Sequence, residues 1–529
     1  MARTPQFRSL IRALQLARQR NLEAAGHPAA VVRPGTRVSR RQFLRAGAAT
    51  AAATGLSVSS SGTFARAALV DDATAQQPAR IAVIGAGLAG LNAALRLQDL
   101  DLGYQVTLYE ARDRVGGRCH SVTAGPGYVL DLGGSFINSD HADMLDLLRK
   151  FDLYRFDRIA DAADVGFPTD AFFFGGRRIP EVAVADALRP LAAQITADAA
   201  LLDQNWSKWA SKFDVLSVTQ YLDQHRDKIR APFARTLMEN AIRTEYGVEP
   251  QQSSALQLLF LLPVVSGQHV EVLGYSDEQY TVKGGVGQLP RAMDAALGDR
   301  VQLGRVLTRV EDRMSVYRLT FADGVVVEVD AVVIAIPVSL LRTIDWVVTL
   351  PAQFRRYIDD VDLGRNEKTF VGFDPKVWRS PDGFVNGLWT DQGYSAAWDG
   401  TQRQNDRPDG ALTFYFGGDE VRRRPGAPQL VRRFDDVIDG AAEAYTGFSL
   451  ATDWANERFT RGAYVNFGPG ELTTYGGYFW IEGELSVAFR NLAFAGEHFS
   501  DLWYGFMNGA AETGRLAADY LAKRLGGGM

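Results

Sequence analysis

"RIAVIGAGLAGLNAALRLQDL", residues 80–100, decides the fold. Ile81, Ala82, Val83 and Ile84 form the short, unbroken apolar run of a strand buried on both faces in a parallel sheet. Gly85, Gly87 and Gly90 follow as G-x-G-x-x-G, and Leu88, Leu91, Ala94 and Leu95 then recur at helical spacing. Each glycine has its own task in such a turn: the first permits the tight bend, the second lets backbone approach a pyrophosphate, and the third lets the helix pack on the strand. The helix N-terminus then offers unpaired amides to phosphate oxygens. A second strand, Val106 to Tyr109, ends at Glu110, about 20 residues beyond the last glycine, where a carboxylate accepts the hydroxyls of a ribose. Glycines also serve plain packing, but the added strand and terminal acid make this a dinucleotide site. They do not separate NAD from FAD.

The residues just downstream make that separation. "YEARDRVGGRCHS" (109–121) continues past Glu110 with Arg112, Arg114, the pair Gly116 and Gly117, and Arg118. This segment resembles the flavin amine oxidase family, in which E-A-R-x-R-x-G-G-R lies along the FAD diphosphate; the planar fork of arginine suits two phosphate oxygens at once. The resemblance continues in order through "DLGGSFINSDH" (131–141), "VKGGVGQLPRAM" (282–293), "VQLGRVLTRVED" (301–312) and "NLAFAGEHFSDLWYGFMNGAAETGRLAADYL" (491–521). It implies flavin contacts from Gly133, Gly134 and Ser135, an adenine contact near Val306 on a strand, and approaches to the pyrophosphate, ribityl chain and ring from Gly496, Glu497 and Met507. "DAVVIAIP" (330–337) reads independently as a buried strand stopped by Pro337.

This order predicts an α/β architecture. Residues 75–140, 281–345 and 485–525 form one Rossmann-like FAD-binding domain, and 141–280 with 346–484 form a discontinuous α+β substrate-binding domain. The first insert reads as mostly helical, with Met144, Leu145, Leu147 and Leu148 at helical spacing; the second, rich in aromatics, glycine and alternating patterns, reads as a sheet flooring the active site.

The resemblance also names the chemistry. Lys368, in "NEKTFVGF", aligns with a lysine that holds a water against flavin N5; Tyr464, in "RGAYVNFGPG", and Phe506 align with two aromatics flanking the substrate amine, and Trp503 adds to that wall. Ala463 stands where animal monoamine oxidases tether the flavin through cysteine, so the FAD is expected to be noncovalent. Phe506 replaces the usual tyrosine, leaving a cage with one hydroxyl. An arginine that would hold an L-amino acid carboxylate is missing from "GGSFINSDH"; Arg243, in "ENAIRTEYG", is the substitute considered.

Composition excludes several other classes. The whole chain carries −5 and residues 1–67 carry +10, so residues 68–529 carry −15, which argues against nucleic acid or anionic lipid as a partner. A single cysteine, Cys119, allows no intrachain disulfide and no thiolate cluster, and the six histidines show no metal-binding spacing, so no metal site is expected. "VSRRQFLRAGAATAAATG" (38–55) combines paired arginines with a weak apolar run leading to Ala65-Arg66-Ala67, the layout of a twin-arginine export signal with a small-residue cleavage site. Such systems move folded proteins, which fits a chain that must first enclose a cofactor.

The expected function is oxidative deamination of an amine or L-amino acid with dioxygen as acceptor, releasing peroxide outside the cytoplasm. The resemblance admits a homodimer. Two other readings use the same nucleotide fingerprint: a desaturase of an isoprenoid or tetrapyrrole, and a noncatalytic flavin-binding protein.

Overall fold

Strand Arg80–Ile84 lies between Gln105–Tyr109 and Ala331–Ile334, parallel to both, with Ile81 opposite Val106 on one side and Ala331 on the other. Because it is bonded along both edges and covered on both faces, side chains pointing either way must be apolar, and Ile81 to Ile84 are all buried. Val301–Gln302 extends the sheet at one side, Leu492–Phe494 extends it at the other, and Ala488–Phe489 closes the far edge antiparallel. The computed structural model describes residues 78–261, 263–266, 269–272 and 276–526, so the twin-arginine segment and the Ala65-Arg66-Ala67 site lie outside the described residues. Three distant stretches of chain thus build one sheet, the expected Rossmann-like α/β unit.

Helix Leu88–Asp99 starts immediately after the glycine turn and packs on the C-terminal helix Met507–Arg524. The approach is close because small residues meet: a Cβ on Gly514 would stand 2.1 Å from the Ala89 carbonyl oxygen, and Asn92 donates to the Ala511 carbonyl at 2.7 Å. Leu91 and Leu95 bury their side chains in the same core, each contributing about 2 kcal/mol of apolar burial.

The segment 301–312, expected as one strand, is two. Val301–Gln302 joins the nucleotide sheet, Gly304 turns the chain at φ +73°, and Leu307–Asp312 enters a separate four-stranded sheet with Tyr317–Phe321, Val326–Val329 and Asp345–Val347. The positive φ breaks the run that apolar alternation alone suggests is continuous.

A seven-stranded sheet runs in the order Tyr445–Ala451, Asn366–Phe373, Gly410–Gly417, Ala396–Asp399, Gly387–Thr390, Asp170–Phe174 and Arg177–Arg178. Asp170–Phe174 comes from the mostly helical first insert and pairs parallel with Gly387–Thr390, more than two hundred residues later. Along Asn366–Phe373 the strand period of two sends Val371 and Phe373 to an outer core with Phe414 and Phe434, and Lys368 and Phe370 to the opposite face. Lys368 pairs with Tyr415 in register, so their side chains share that inner face.

Candidate active site

A cleft of about 300 Å³ opens at the C-terminal ends of the parallel strands. Gly85, Gly87, Glu110, Arg112, Arg118, Val306, Gly496, Glu497, Phe506 and Met507 all line it. The three glycines of the turn differ physically. Gly85 has φ +100°, and a Cβ there would stand 2.6 Å from the Ala335 carbonyl oxygen. Gly90 lies beneath the turn, where a Cβ would stand 1.8 Å from the Gly85 carbonyl oxygen. At Gly87 a Cβ would meet no protein atom within 4 Å, so this backbone faces the open cleft. That surface fits the pyrophosphate of a dinucleotide, which needs close, unshielded amides.

Acids and arginines hold the walls. Glu110 is buried and its carboxylate accepts from the Ala86 amide at 2.7 Å and the Arg112 amide at 2.9 Å, locking the glycine turn to the second strand. Arg112 reaches across to Glu457 and to the Thr460 hydroxyl, the latter at 2.6 Å. Arg118 donates to Glu497 at 2.9 Å and to the Ala463 carbonyl, while the second Glu497 oxygen accepts from the Gly505 amide at 2.8 Å. The cationic edge of the cleft is therefore preorganised by its own carboxylates, and it ties the segment before Tyr464 to the one before Phe506.

The Gly133–Gly134–Ser135 turn forms a partition behind the cleft. A Cβ on Gly134 would touch the Met507 sulfur at 2.6 Å, and one on Gly133 would enter the Arg118 carbonyl at 1.8 Å. On its far side Lys368 Nζ donates to the carbonyls of Asp131 (2.9 Å) and Gly133 (2.7 Å) and to Ser135 Oγ (2.9 Å). All three ammonium protons have protein acceptors, an arrangement the water-holding expectation did not contain. Burial pushes the amine down to about 7, with Asp131 acting to raise it and Arg403 to lower it.

Aromatic side chains complete this inner face. The Tyr464 hydroxyl donates to the Thr244 carbonyl and accepts from the Tyr415 hydroxyl at 2.9 Å. Two hydroxyls therefore stand together even though Phe506 carries none. Tyr415 packs edge-on to Trp398 at 5.0 Å, Trp398 on Phe136 at 5.8 Å, and Lys368 Nζ lies 5.6 Å from the Trp398 ring centre. Phe506 and Trp503 pack against each other at 6.2 Å, and both lie edge-on to the buried ring of His141, at 5.1 and 4.9 Å.

The profile of the family described as "Flavin containing amine oxidoreductase" matches residues 88–522. The chain belongs to that family. Membership brings a flavin cofactor and a small-molecule substrate, with dioxygen as reactant. An L-amino acid dehydrogenase of Synechocystis sp. is 24% identical over 457 residues, covering 82% of this chain and 93% of that protein. The flavin-containing amine oxidase B of Canis lupus familiaris is 26% identical over 472 residues, covering 84% and 86%. Among solved structures, putrescine oxidase bound to putrescine superposes with a TM-score of 0.71 at 22% identity over 84% of this chain and 99% of that one. Cyclohexylamine oxidase from Brevibacterium oxydans gives 0.70 at 22%, over 85% and 99%. The profile of the twin-arginine translocation pathway signal matches residues 37–57, so the protein carries the address for export by that route. Among the described residues no helix is long and apolar enough to cross a membrane, and no cluster of three or more His, Cys, Asp or Glu could hold a metal.

In this flavin-containing amine oxidoreductase Arg243, the carboxylate reader considered from sequence, is engaged by a carboxylate of the protein itself. Its guanidinium is bidentate on Glu249, at 2.8 to 3.1 Å, and bonds Asn240 at 2.9 Å. The left-handed Gly247 ends helix Pro232–Tyr246 and folds Glu249 back onto it, which a linear reading could not supply. Arg243→Gln is expected to cost about 2 kcal/mol of stability by stranding Glu249, with unchanged KM for any L-amino acid that the enzyme turns over; a raised KM would restore the carboxylate role. Sequence reasoning also missed Tyr415, Trp398, Phe136, His141 and Arg403. Period-two alternation places Tyr415 on the Lys368 face once the two strands are paired, so that signal existed only for a known register.

Proposed function

We propose that this protein oxidatively deaminates a small amine, using FAD held noncovalently in the cleft, with dioxygen as the electron acceptor. The observation that carries the reading is the shared Gly133–Gly134 partition, which lies against Met507 of the cleft on one side and accepts from Lys368 on the other. The chemistry a bound FAD supplies is removal of a hydride equivalent from the amine's α-carbon and its delivery to dioxygen as peroxide, the remaining imine hydrolysing to a carbonyl compound and ammonia.

The chain's own residues contribute desolvation, orientation and charge. Phe506, Trp503, Trp398 and the Tyr464–Tyr415 pair form apolar surface that penalises an ammonium and so favours the neutral amine from which hydride leaves. Gly85, Gly87 and the amides opening helix Leu88–Asp99 would hold the pyrophosphate, Glu110 the ribose, and Val306 the adenine edge. Gly496, Glu497 and Met507 would seat the remainder, with Arg112 and Arg118 balancing phosphate charge.

An amine is favoured over an L-amino acid because Arg243, the arginine considered for a substrate carboxylate, is committed to Glu249. Peroxide release measured across primary amines and L-amino acids tests this: amines are expected to dominate kcat/KM. Preference for L-amino acids would overturn the substrate reading, and silence on every nitrogen substrate would overturn the reaction.

Noncovalent attachment has its own test. Ala463 offers no nucleophile, and burial pushes the Cys119 thiol up to about 11, so it is not a thiolate at neutral pH. Acid precipitation of the yellow holoenzyme is expected to leave a colourless pellet; colour retained in the pellet would overturn it. Since the cleft joins residues from three distant segments, FAD loading belongs with folding, before twin-arginine export.

A further inference from the structure

We infer that the buried ion pair of Asp131 and Arg403 tunes the protonation state of Lys368, making both of them positioning residues for the oxidation proposed above, on which the inference rests. Arg403 Nη1 lies 2.8 Å from an Asp131 carboxylate oxygen, with the side chains 4% and 2% exposed. The other Asp131 oxygen accepts from Ser121 Oγ at 2.5 Å and the Val286 amide at 3.0 Å, and Arg403 donates to the Val129 carbonyl at 2.8 Å. Both partners are therefore pinned to the hairpin formed by Ser121–Ala124 and Tyr128–Asp131. Asp131 meets two cations at once: its carboxylate holds Arg403, and its carbonyl accepts from Lys368.

The other charged groups near the lysine each have partners of their own, and of these Glu278 also acts to raise the amine. Arg158 and Glu278 lie 3.8 Å apart, Lys376 and Asp399 also 3.8 Å apart, and Glu367, on the opposite face of the lysine's own strand, accepts from Thr452 and the Ala455 amide. Asp131 and Arg403 share a small cavity with Lys368, in surroundings where a charge is weakly screened. A carboxylate there favours the ammonium and a guanidinium disfavours it, so removing one or the other drives the lysine in opposite directions. A merely structural pair would not produce that sign reversal.

The chain has eight lysines, few enough for direct titration by NMR of holoenzyme labelled with ¹³C at lysine Cε, with Lys368→Met assigning the signal. Wild type is expected to titrate near 7. Arg403→Met is expected to raise the midpoint by about one pH unit or more and Asp131→Asn to lower it comparably, whereas Arg403→Lys holds it near wild type. Should Asp131→Asn fail to fold, the contrast between Arg403→Met and Arg403→Lys decides alone. Unmoved midpoints, or shifts of the same sign in both charge-removing variants, would overturn the inference. The turnover pH profile of the same variants separates the two readings: midpoints that move while the profile stays fixed would remove Lys368 from the reaction and leave its tuning intact.

Discussion

Gly87→Ala is expected to weaken FAD binding by about 100-fold while the apoprotein melts at or slightly above the wild-type temperature. Gly87 has φ −74°, which alanine adopts without strain, and its Cβ would touch no protein atom. Fixing that backbone even removes some freedom from the unfolded chain, a gain of about 0.5 kcal/mol. The added methyl instead enters the cleft, where a pyrophosphate must come within hydrogen-bonding distance of the turn. Gly90→Ala should do the reverse. Its Cβ would overlap the Gly85 carbonyl, and Gly85 cannot retreat because it already abuts the Ala335 carbonyl and Ile336. Destabilisation of about 3 kcal/mol or more is expected, visible as a melting temperature several degrees lower without any ligand. Calorimetry of both apoproteins, with FAD titration by fluorescence quenching, checks the pair. Equal affinity of Gly87→Ala and wild type for FAD would mean that the dinucleotide does not run over this turn.

That contrast explains why the nucleotide half of the molecule was legible in sequence. Gly85, Gly87, Gly90 and Glu110 act within thirty residues of one another, and each answers a local demand: a positive φ, an open backbone, a helix pressed on a strand, an acid at a strand end. The substrate side answers to distant partners. Tyr415 reaches Tyr464 only because strands Asn366–Phe373 and Gly410–Gly417 pair in one register, and the Ala171–Phe172–Phe173 run finds its neighbour at Leu388–Thr390. The pairing of Arg243 was hidden for a related reason, since its partner Glu249 is brought back by a helix end rather than by helical spacing. Lys368 was singled out from sequence, but its three acceptors lie on the glycine turn more than two hundred residues earlier.

Lys368→Met is expected to slow reoxidation by dioxygen about 100-fold and to erase a pH dependence that wild type shows. An ammonium just behind the Gly133–Gly134 partition favours the negative charge that develops as dioxygen takes electrons. Burial lowers this amine to about 7, so wild-type reoxidation should fall as pH rises through that value and the variant's should stay flat. Stability follows the opposite course. The unfolded lysine titrates near about 10.4, so between about 7 and 10.4 the unfolded chain binds the extra proton and folding gains up to about 1.4 kcal/mol per pH unit. Below the folded value both states are protonated and the full cost of a buried ammonium remains. Methionine removes this slope but strands the carbonyls of Asp131 and Gly133, at about 1–3 kcal/mol each. The stability deficit of the variant should therefore widen from pH 7 to pH 10. Stopped-flow mixing of anaerobically reduced enzyme with oxygenated buffer, beside melting curves over that range, measures both. If reoxidation is as fast in the variant as in wild type, the lysine's charge plays no part in the dioxygen half-reaction; parallel stability curves would mean that it is not held neutral at alkaline pH.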